Sequence, residues 1–193
     1  FVHQSHVQRV LSVEHGAALK PALGLACADC GDHVRRDHCR HRTGGYPPVR
    51  SASQLRTVVL VSGSGSNLQA IIDHAPSGGL GIQLTGVISD RPNVLALERA
   101  RRANIPALTI DHAQAGSSVA FQQQLGATLA ELDPQLVVLA GFMRILSPAV
   151  VSAWEGRMLN VHPSLLPKYP GLHTYRRALE AGDSVHGSTV HFV

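Results

Sequence analysis

Short segments typical of β-strands alternate with helical segments from Thr57 to the end of the 193-residue chain. The strand-like segments are 57–62, 82–89, 107–110, 136–141 and 158–162, followed by the alternating segment 188–193. The helical segments are 68–75, 93–105, 119–132, 147–154 and 174–182. Asn93 and the pair Ser117 and Ser118 are candidate N-terminal helix caps. Because regular βαβα alternation is typical of a doubly wound sheet, we predict an α/β fold with a Rossmann-like, mainly parallel sheet.

The excess of positive charge lies in the first 56 residues of the chain. Residues 1–56 contain eight Lys and Arg against four Asp and Glu, whereas the remainder contains nine of each. The net charge of +4 therefore belongs to the first segment, and the neutral remainder argues against a nucleic-acid partner. No apolar run approaches the roughly 20 residues that a membrane helix needs. We predict a disordered or unrelated basic leader over 1–56 and one domain over 57–193.

The cysteines of the chain, Cys27, Cys30 and Cys39, all lie in this leader, close to several histidines. These residue types suit zinc, but their spacing fits no standard zinc finger and no apolar core surrounds them. We therefore predict no metal site. A zinc-binding module that contacts nucleic acid is the alternative for the leader. A targeting peptide is another alternative, weakened by four acids and six histidines.

A glycine-containing turn, 63–67, separates the first predicted strand from the first predicted helix. Two glycines allow the backbone to approach a ligand closely, and the helix N-terminus offers free N–H groups to an anion. Ser66 and Asn67 add side-chain donors, so the turn is a candidate phosphate site. It matches the dinucleotide-binding fingerprint only in part, since Leu68 occupies the third glycine position and Asp90 could mimic the ribose-binding acid. A tight turn with no ligand is the alternative.

Asn160 and His162 lie two residues apart at the end of a predicted strand. Strand side chains alternate between faces, so the two point the same way and Val161 points the other way. Pro163 ends the strand and puts the pair at the carboxyl edge, where open parallel sheets bind ligands. An amide donor beside an imidazole suits a reaction in which an oxyanion forms and a proton moves. The alternative for His162 is a satisfied or surface histidine.

A further candidate site follows the apolar strand 136–141. Arg144 leaves this strand at the ligand edge, between Met143 on one side and Ile145 and Leu146 on the other. An apolar slot with backbone amides and one cation would hold a flat heterocycle. The alternative is a loop that packs on the core.

Three blocks of the sequence resemble the phosphoribosylglycinamide formyltransferases, the folate-dependent enzymes of purine synthesis. They are TVVLVSGSGSNLQAII, LVVLAGFMRILSPAVV and LNVHPSLLPKYPGLHTYRRALEAGDSVHGSTVHFV. The resemblance runs from about Thr57 to Val193. It implies that a formyl group passes from 10-formyltetrahydrofolate, the co-substrate, to the amine of glycinamide ribonucleotide. It also implies a cytoplasmic monomer or homodimer that acts on small molecules without a metal.

The same resemblance assigns roles to the candidate residues. Gly65, Ser66 and Asn67 would hold the ribonucleotide phosphate. The residues that would meet the folate pterin, largely through backbone, are Met143, Arg144, Ile145 and Leu146. Asn160 would bind the developing oxyanion and His162 would act as the general acid. His191 would lie near the site.

The sequence departs from the pattern of these enzymes in two places. It ends before the loop with their catalytic aspartate, so we expect a domain without its C-terminal part and with impaired activity. Ser118 stands where these enzymes often have Arg, so the folate tail would bind differently. Alternatives are a methionyl-tRNA formyltransferase or formyltetrahydrofolate hydrolase, which share the Asn-x-His arrangement. A nicotinamide-dependent dehydrogenase is a more distant alternative.

Overall fold

The computed structural model describes residues 11–14, 54–75 and 80–193. Most of the predicted leader, including Cys27, Cys30 and Cys39, lies outside these ranges. The predictions for the leader, a disordered or unrelated segment without a metal, a zinc-binding module or a targeting peptide, therefore concern mainly residues outside the described part. Within the described residues, no helix has the length and apolar character that crossing a membrane requires.

The described strands form one seven-stranded sheet. They are β1 (Leu11–Glu14), β2 (Leu55–Val61), β3 (Ile82–Ser89), β4 (Ala107–Thr109), β5 (Leu136–Leu139), β6 (Met158–His162) and β7 (Gly187–Phe192). Their order across the sheet is β1-β7-β6-β5-β2-β3-β4. Neighbouring strands pair in parallel along the part of the sheet formed by β6, β5, β2, β3 and β4. Strand β7 is antiparallel to both of its neighbours, β6 and β1. The predicted doubly wound, mainly parallel sheet is confirmed.

One short strand comes from the segment that the sequence assigns to the leader. Leu11–Glu14 forms β1 and pairs with β7, with Leu11 opposite Val190 and Glu14 opposite Gly187. The division of the chain at residue 56 stays a prediction.

Five helices connect the strands of the described part. They are α1 (Ser66–His74), α2 (Leu95–Arg102), α3 (Ser118–Leu132), α4 (Pro148–Ala153) and α5 (Thr174–Glu180). Capping explains two of the starts: Ser117 Oγ accepts from the Ala120 amide, and Ser147 Oγ accepts from the Val150 amide. Asn93 is not the cap of α2. It adopts a left-handed backbone with φ of 55°, and the extended Val94 precedes the helix instead.

The core lies on both faces of the sheet because β2 and β5 are buried on both sides. Val58 and Leu60 pack toward Phe121 and Leu125 of α3, on the face that α4 also covers. Alternate positions of β2 pack on the opposite face against α1 and α2, in a cluster that includes Val59, Val61, Leu68, Ala96 and Ala100. This packing fixes the ends of β2, β5 and β6 side by side.

Candidate active site

Three loops that carry candidate residues leave the same edge of the sheet. Leu60 of β2 pairs with Leu139 of β5, and Leu139 pairs with Asn160 of β6. These parallel strands all end within a few residues of that row. The turn after β2, the loop after β5 and the loop after β6 therefore emerge together at the carboxyl edge, where ligands bind in open α/β sheets.

The turn after β2 is held by its backbone. Gly65 is buried with φ of 70° and ψ of 34°, and a Cβ there would lie 2.7 Å from the Ala96 Cβ and 2.9 Å from the Ala96 Cα. The Ala96 amide donates to the Gly63 carbonyl at 3.1 Å, and Arg99 Nε donates to the Ser64 carbonyl at 2.9 Å. Helix α2 therefore supports the turn from beneath, and only glycine fits at position 65.

The start of α1 leaves backbone donors at the surface of this turn. The first hydrogen bond within the helix runs from the Gln69 amide to the Gly65 carbonyl at 2.9 Å. The amides of Ser66, Asn67 and Leu68 precede it, and the side chains of Ser66 and Asn67 are exposed. Unpaired amides and the positive end of the helix dipole attract an anion.

The loop after β5 is tied down by two buried polar residues. The Met143 amide donates to the buried Ser62 Oγ at 2.8 Å, and Arg144 Nε lies 2.7 Å from Asp90 Oδ2. The Asp90 side chain has no exposed surface, whereas the Arg144 side chain is 30% exposed. Asp90, the candidate ribose ligand, thus forms an ion pair with Arg144. The Arg144 guanidinium, the cation expected to face a heterocycle, is therefore already engaged by a carboxylate.

The two apolar residues after Arg144 have opposite environments. Ile145 is 94% exposed, and its carbonyl accepts from Gln122 Nε2 at 2.9 Å. Leu146 is buried and packs in the core beneath α3 and α4. Met143 is exposed like Ile145. The loop thus offers two apolar side chains to a ligand, while Leu146 can reach one only through its backbone.

Asn160 and His162 lie half-buried on one face of β6, as their spacing requires. Asn160 Nδ2 lies 3.1 Å from Nε2 of His191, its direct partner on β7. His162 Nε2 lies 3.0 Å from the Tyr169 carbonyl oxygen. A carbonyl only accepts, so Nε2 of His162 carries the hydrogen and Nδ1 is the ring nitrogen left for other partners.

The loop between β6 and α5 is anchored beneath His162 by buried hydroxyls. Ser164 Oγ donates to the Lys168 carbonyl at 2.7 Å, with the Tyr169 carbonyl at 3.1 Å. Thr189 Oγ1 donates to the Ser164 carbonyl at 2.7 Å and accepts from the Leu166 amide at 3.0 Å. These bonds hold the carbonyl that His162 contacts, since Tyr169 lies inside the anchored segment.

An ion pair with a phenol bond secures the outer side of the same loop. Lys168 Nζ lies 2.9 Å from Asp183 Oδ2, and the Tyr169 hydroxyl donates to that oxygen at 2.8 Å. Hydrogen bonds from Lys168 and then Tyr169 lower the pKa of the Asp183 carboxyl. The hydrogen bond to Asp183 raises the pKa of Lys168 and also raises the pKa of Tyr169. The anchor is thus charged and hydrogen-bonded at neutral pH.

Several supporting residues are missing from the sequence-based site. Ser62 and Tyr169 bind candidate residues directly, Ser62 at the Met143 amide and Tyr169 at His162. Ser164 and Thr189 hold the loop that carries the Tyr169 carbonyl. The sequence indicates Thr189, because this residue lies in a strand-like alternating segment two residues before His191 and therefore on the same face. Ser62 ends one predicted strand and Ser164 follows another, both at the carboxyl edge, which is a weaker indication. Tyr169 acts through its backbone carbonyl, so its residue type gives no indication of this role.

Two cavities in the described part lie beside this site or away from it. A groove of about 690 Å³ between α3 and α4 has Ser118, the position expected to meet the folate tail, in its lining. None of the residues predicted to bind the phosphate or the pterin, or to act in catalysis, lines it. A cavity of about 440 Å³ borders the anchored loop and includes Lys168, Tyr169, Asp183 and His186 in its lining. Within residues 54–75 and 80–193, no three or more His, Cys, Asp or Glu are grouped to hold a metal ion. The convergence of the three loops, rather than cavity volume, therefore locates the candidate site.

The chain is similar in sequence and structure to known formyl-transferring enzymes. The sequence model described as formyl transferase matches residues 55–193. The Escherichia coli phosphoribosylglycinamide formyltransferase is 52% identical over 139 residues, which are 72% of this chain and 66% of that protein. A Drosophila melanogaster trifunctional purine biosynthetic protein is 49% identical over 145 residues, 74% of this chain and 11% of that protein. The crystal structure of glycinamide ribonucleotide transformylase 1 from Symbiobacterium toebii has a TM-score of 0.70 at 48% identity, covering 73% of this chain and 66% of that one. The chain thus spans just under two thirds of the length of the Escherichia coli and Symbiobacterium toebii proteins.

Proposed function

Because this chain belongs to the formyl transferase family, we propose that it provides the catalytic edge of a phosphoribosylglycinamide formyltransferase. The enzyme transfers a formyl group from 10-formyltetrahydrofolate to the amine of glycinamide ribonucleotide. The observation that carries the proposal is the convergence of an anion-binding turn, an exposed apolar loop and an Asn–His pair at one sheet edge. The Escherichia coli relative, which is 52% identical and carries this enzyme name, supports it. We further propose a metal-free reaction in the cytoplasm by a monomer or homodimer.

The turn after β2 is proposed to bind the phosphate of the ribonucleotide. The amides of Ser66 and Asn67 and their side chains supply donors, and the α1 dipole adds a partial positive charge. Gly65 allows the backbone to turn at this point without a side chain. This anion site orients the rest of the substrate along the edge toward β6.

The loop after β5 is proposed to bind the pterin of the folate. Met143 and Ile145 expose apolar surface, and the backbone around them supplies hydrogen-bonding groups for the edge of a heterocycle. The ion pair of Arg144 with Asp90 and the bond from Met143 to Ser62 hold the loop in place. Leu146 fixes its far end in the core.

The Asn–His pair is proposed to perform the chemistry between the two substrates. The substrate amine attacks the formyl carbon, a C–N bond forms and the formyl oxygen becomes an oxyanion. Asn160 Nδ2 donates to that oxyanion. His162 supplies the nearby acid through Nδ1 when its ring carries a second proton there, since its Nε2 hydrogen is donated to the Tyr169 carbonyl. When the oxyanion collapses, the bond to the folate nitrogen breaks. That nitrogen gains a proton and the former amine loses one.

A formyl-transfer assay on the full-length gene product tests the proposal. We expect Asn160→Ala to lower kcat by about 100- to 1,000-fold, as loss of an oxyanion donor does. His162→Gln should lower it by about 100-fold or more through loss of the acid. Gln83→Ala, which truncates an exposed amide at the opposite end of β3, is the matched control and should leave kcat unchanged.

The acceptor decides between this proposal and the sister enzymes. Formylation of glycinamide ribonucleotide, lost in Asn160→Ala and kept in Gln83→Ala, supports it. Transfer to methionyl-tRNA, or release of formate with no acceptor present, together with failure to formylate the ribonucleotide, contradicts it.

A further inference from the structure

The side chain of Asn160 contacts an imidazole that belongs to the neighbouring strand. Asn160 and His191 are direct partners across the antiparallel pair of β6 and β7. Asn160 Nδ2 lies 3.1 Å from His191 Nε2, and His191 Nδ1 lies 2.8 Å from the Phe192 carbonyl oxygen. Both ring nitrogens of His191 are therefore engaged, one by a carbonyl and the other by the catalytic amide.

The carbonyl determines which nitrogen of His191 carries the hydrogen. The Phe192 oxygen only accepts, so Nδ1 of His191 donates to it. In a neutral imidazole the other nitrogen, Nε2, is then an acceptor with an exposed lone pair. A donor must face that lone pair, which assigns the NH2 end of the Asn160 amide, and not its oxygen, to the position near His191.

This assignment matters because the two ends of an amide have opposite effects on an oxyanion. Nδ2 of Asn160 carries two hydrogens, of which His191 accepts one and the other is left for the substrate. If the amide turned by half a rotation, Oδ1 would face the His191 lone pair. The group that lowers the barrier would then be replaced by a second acceptor next to the developing negative charge.

We propose that His191 is a positioning residue, whose Nδ1–H form holds the Asn160 amide with its NH2 group directed at the forming oxyanion. This inference rests on the proposed function of Asn160. His191 acts through Asn160 and needs no contact with the substrate. The Phe192 carbonyl completes the chain of hydrogen bonds, and the β6–β7 register sets its length.

Two substitutions of His191 separate the acceptor from the ring. His191→Leu removes the acceptor, and we expect kcat to fall by about 10- to 100-fold, part of the loss expected for Asn160→Ala. His191→Gln retains an acceptor oxygen for Asn160 and should recover kcat to within about threefold of the parent. KM for both substrates should stay within about twofold, because the bond acts in the transition state.

A double variant excludes a merely structural role. If His191 acts through Asn160, then adding His191→Leu to Asn160→Ala should lower kcat no further. Ser188→Ala, on the opposite face of β7, is the control for the strand and should leave kcat unchanged. Multiplicative losses in the double variant, or equal losses in Leu and Gln variants, overturn the inference.

The tautomer itself can be read without any assay of activity. Nitrogen-15 chemical shifts of the imidazoles at mildly alkaline pH distinguish Nδ1–H from Nε2–H rings. We expect His191 to carry its hydrogen on Nδ1 and His162 to carry it on Nε2. The opposite assignment for His191 overturns the inference. If Asn160→Ala leaves kcat unchanged while the tautomer is as expected, the proposed function fails instead.

Discussion

The turn after β2 and the loop after β6 leave the same edge of the sheet but are held in place by different means. The turn of residues 63–67 is held by backbone bonds to α2 and by close contact of Gly65 with Ala96. The loop of residues 163–173 is held by side chains, among them Ser164, Thr189 and Asp183. The turn is therefore held by close fit together with hydrogen bonds to its backbone, and the loop by hydrogen bonds from side chains.

This difference teaches how each loop should tolerate substitution. Where two backbones are in close contact, there is no room for an added atom. A single methyl group on the turn therefore forces either α2 or the turn itself to move. A loop held by several hydrogen bonds loses them one at a time, and its stability declines in steps. We expect large effects at one position of the turn and graded effects along the loop.

The largest effect is expected for Gly65→Ala. The new Cβ would lie 2.7 Å from the Ala96 Cβ and 2.9 Å from its Cα, and the residue would have to keep φ near 70°. Steric overlap with backbone and the left-handed conformation together should lower the free energy of unfolding by about 3 kcal/mol. Urea denaturation measures this loss, and titration with inorganic phosphate checks the anion site.

Two other glycines separate the causes of that loss. Gly171, in the loop after β6, has φ of 81° but open space around its Cβ position. Gly171→Ala should therefore cost only about 1 kcal/mol. Gly63→Ala meets neither obstacle and should change stability by less than about 0.5 kcal/mol. Equal losses at all three positions would contradict the role of the contact with Ala96.

Arg144→Met tests the loop after β5, which is held both by polar contacts and by the packing of Leu146 in the core. It removes the nearest charge from the buried Asp90 carboxylate, while Arg91 Nε stays at 3.7 Å. We expect a loss of about 2 kcal/mol in the free energy of unfolding, below the cost of a fully buried unpaired charge. Adding Asp90→Asn should restore part of it, since the buried charge is gone.

An exposed ion pair provides the control for this substitution. Arg102 pairs with Glu98 one turn away on α2, at 3.5 Å and at the surface. Arg102→Met should therefore change stability by less than about 0.5 kcal/mol. A loss as large as that of Arg144→Met would mean that lost packing, and not the buried charge, explains both results.

Much of the fold followed from the sequence because its strands alternate regularly with helices. The bounds of β3 and β6 match the prediction, since Gly, Pro and polar residues delimit them sharply. β1 was not predicted, because four residues have no pattern of their own and depend on pairing with β7. Pairing between distant segments is a tertiary effect that local sequence does not carry.

For the candidate site, the sequence indicates the placement of side chains better than the contacts that support them. The spacing of Asn160 and His162 predicts their common face, because strand geometry alone decides it. The ion pair of Arg144 with Asp90 joins residues 54 positions apart, which only the sheet order brings together. The contact of His162 with a backbone carbonyl depends on the path of a long loop, and no residue type marks it.

A moderate effect is expected when the buried anchor of the loop after β6 is removed. In Thr189→Val, the Ser164 carbonyl loses a donor and the Leu166 amide loses an acceptor, while volume and strand preference are retained. We expect a loss of about 1–2 kcal/mol in the free energy of unfolding. Thr85→Val, whose hydroxyl makes one long bond of 3.3 Å in β3, is the matched control and should lose less.

The smallest effect is expected at the exposed anchor, where the measurement is the pKa of Tyr169. Its hydrogen bond to Asp183 is the largest cause of a raised pKa, whereas the charges of Lys168 and Arg177 act the other way. Asp183→Asn should therefore lower the pKa of Tyr169 toward the ordinary value of a phenol. Carbon-13 NMR of the phenol ring follows the titration, and Tyr169→Phe identifies the signal. A Tyr169 pKa that Asp183→Asn leaves unchanged would contradict the anchor.

The same anchor fixes the pH window of its contribution to stability. The pKa of Asp183 is lowered, so its contribution is present above about pH 4 and is lost as the pH falls through the lowered value. The pKa values of Lys168 and Tyr169 are raised, so theirs are present below about pH 10 and are lost as the pH rises through the raised values. The difference in unfolding free energy between the parent and Asp183→Asn should thus be nearly flat from about pH 5 to 9. A large step in this difference between about pH 5 and 9 would contradict the ion pair as the source of the anchor's stability.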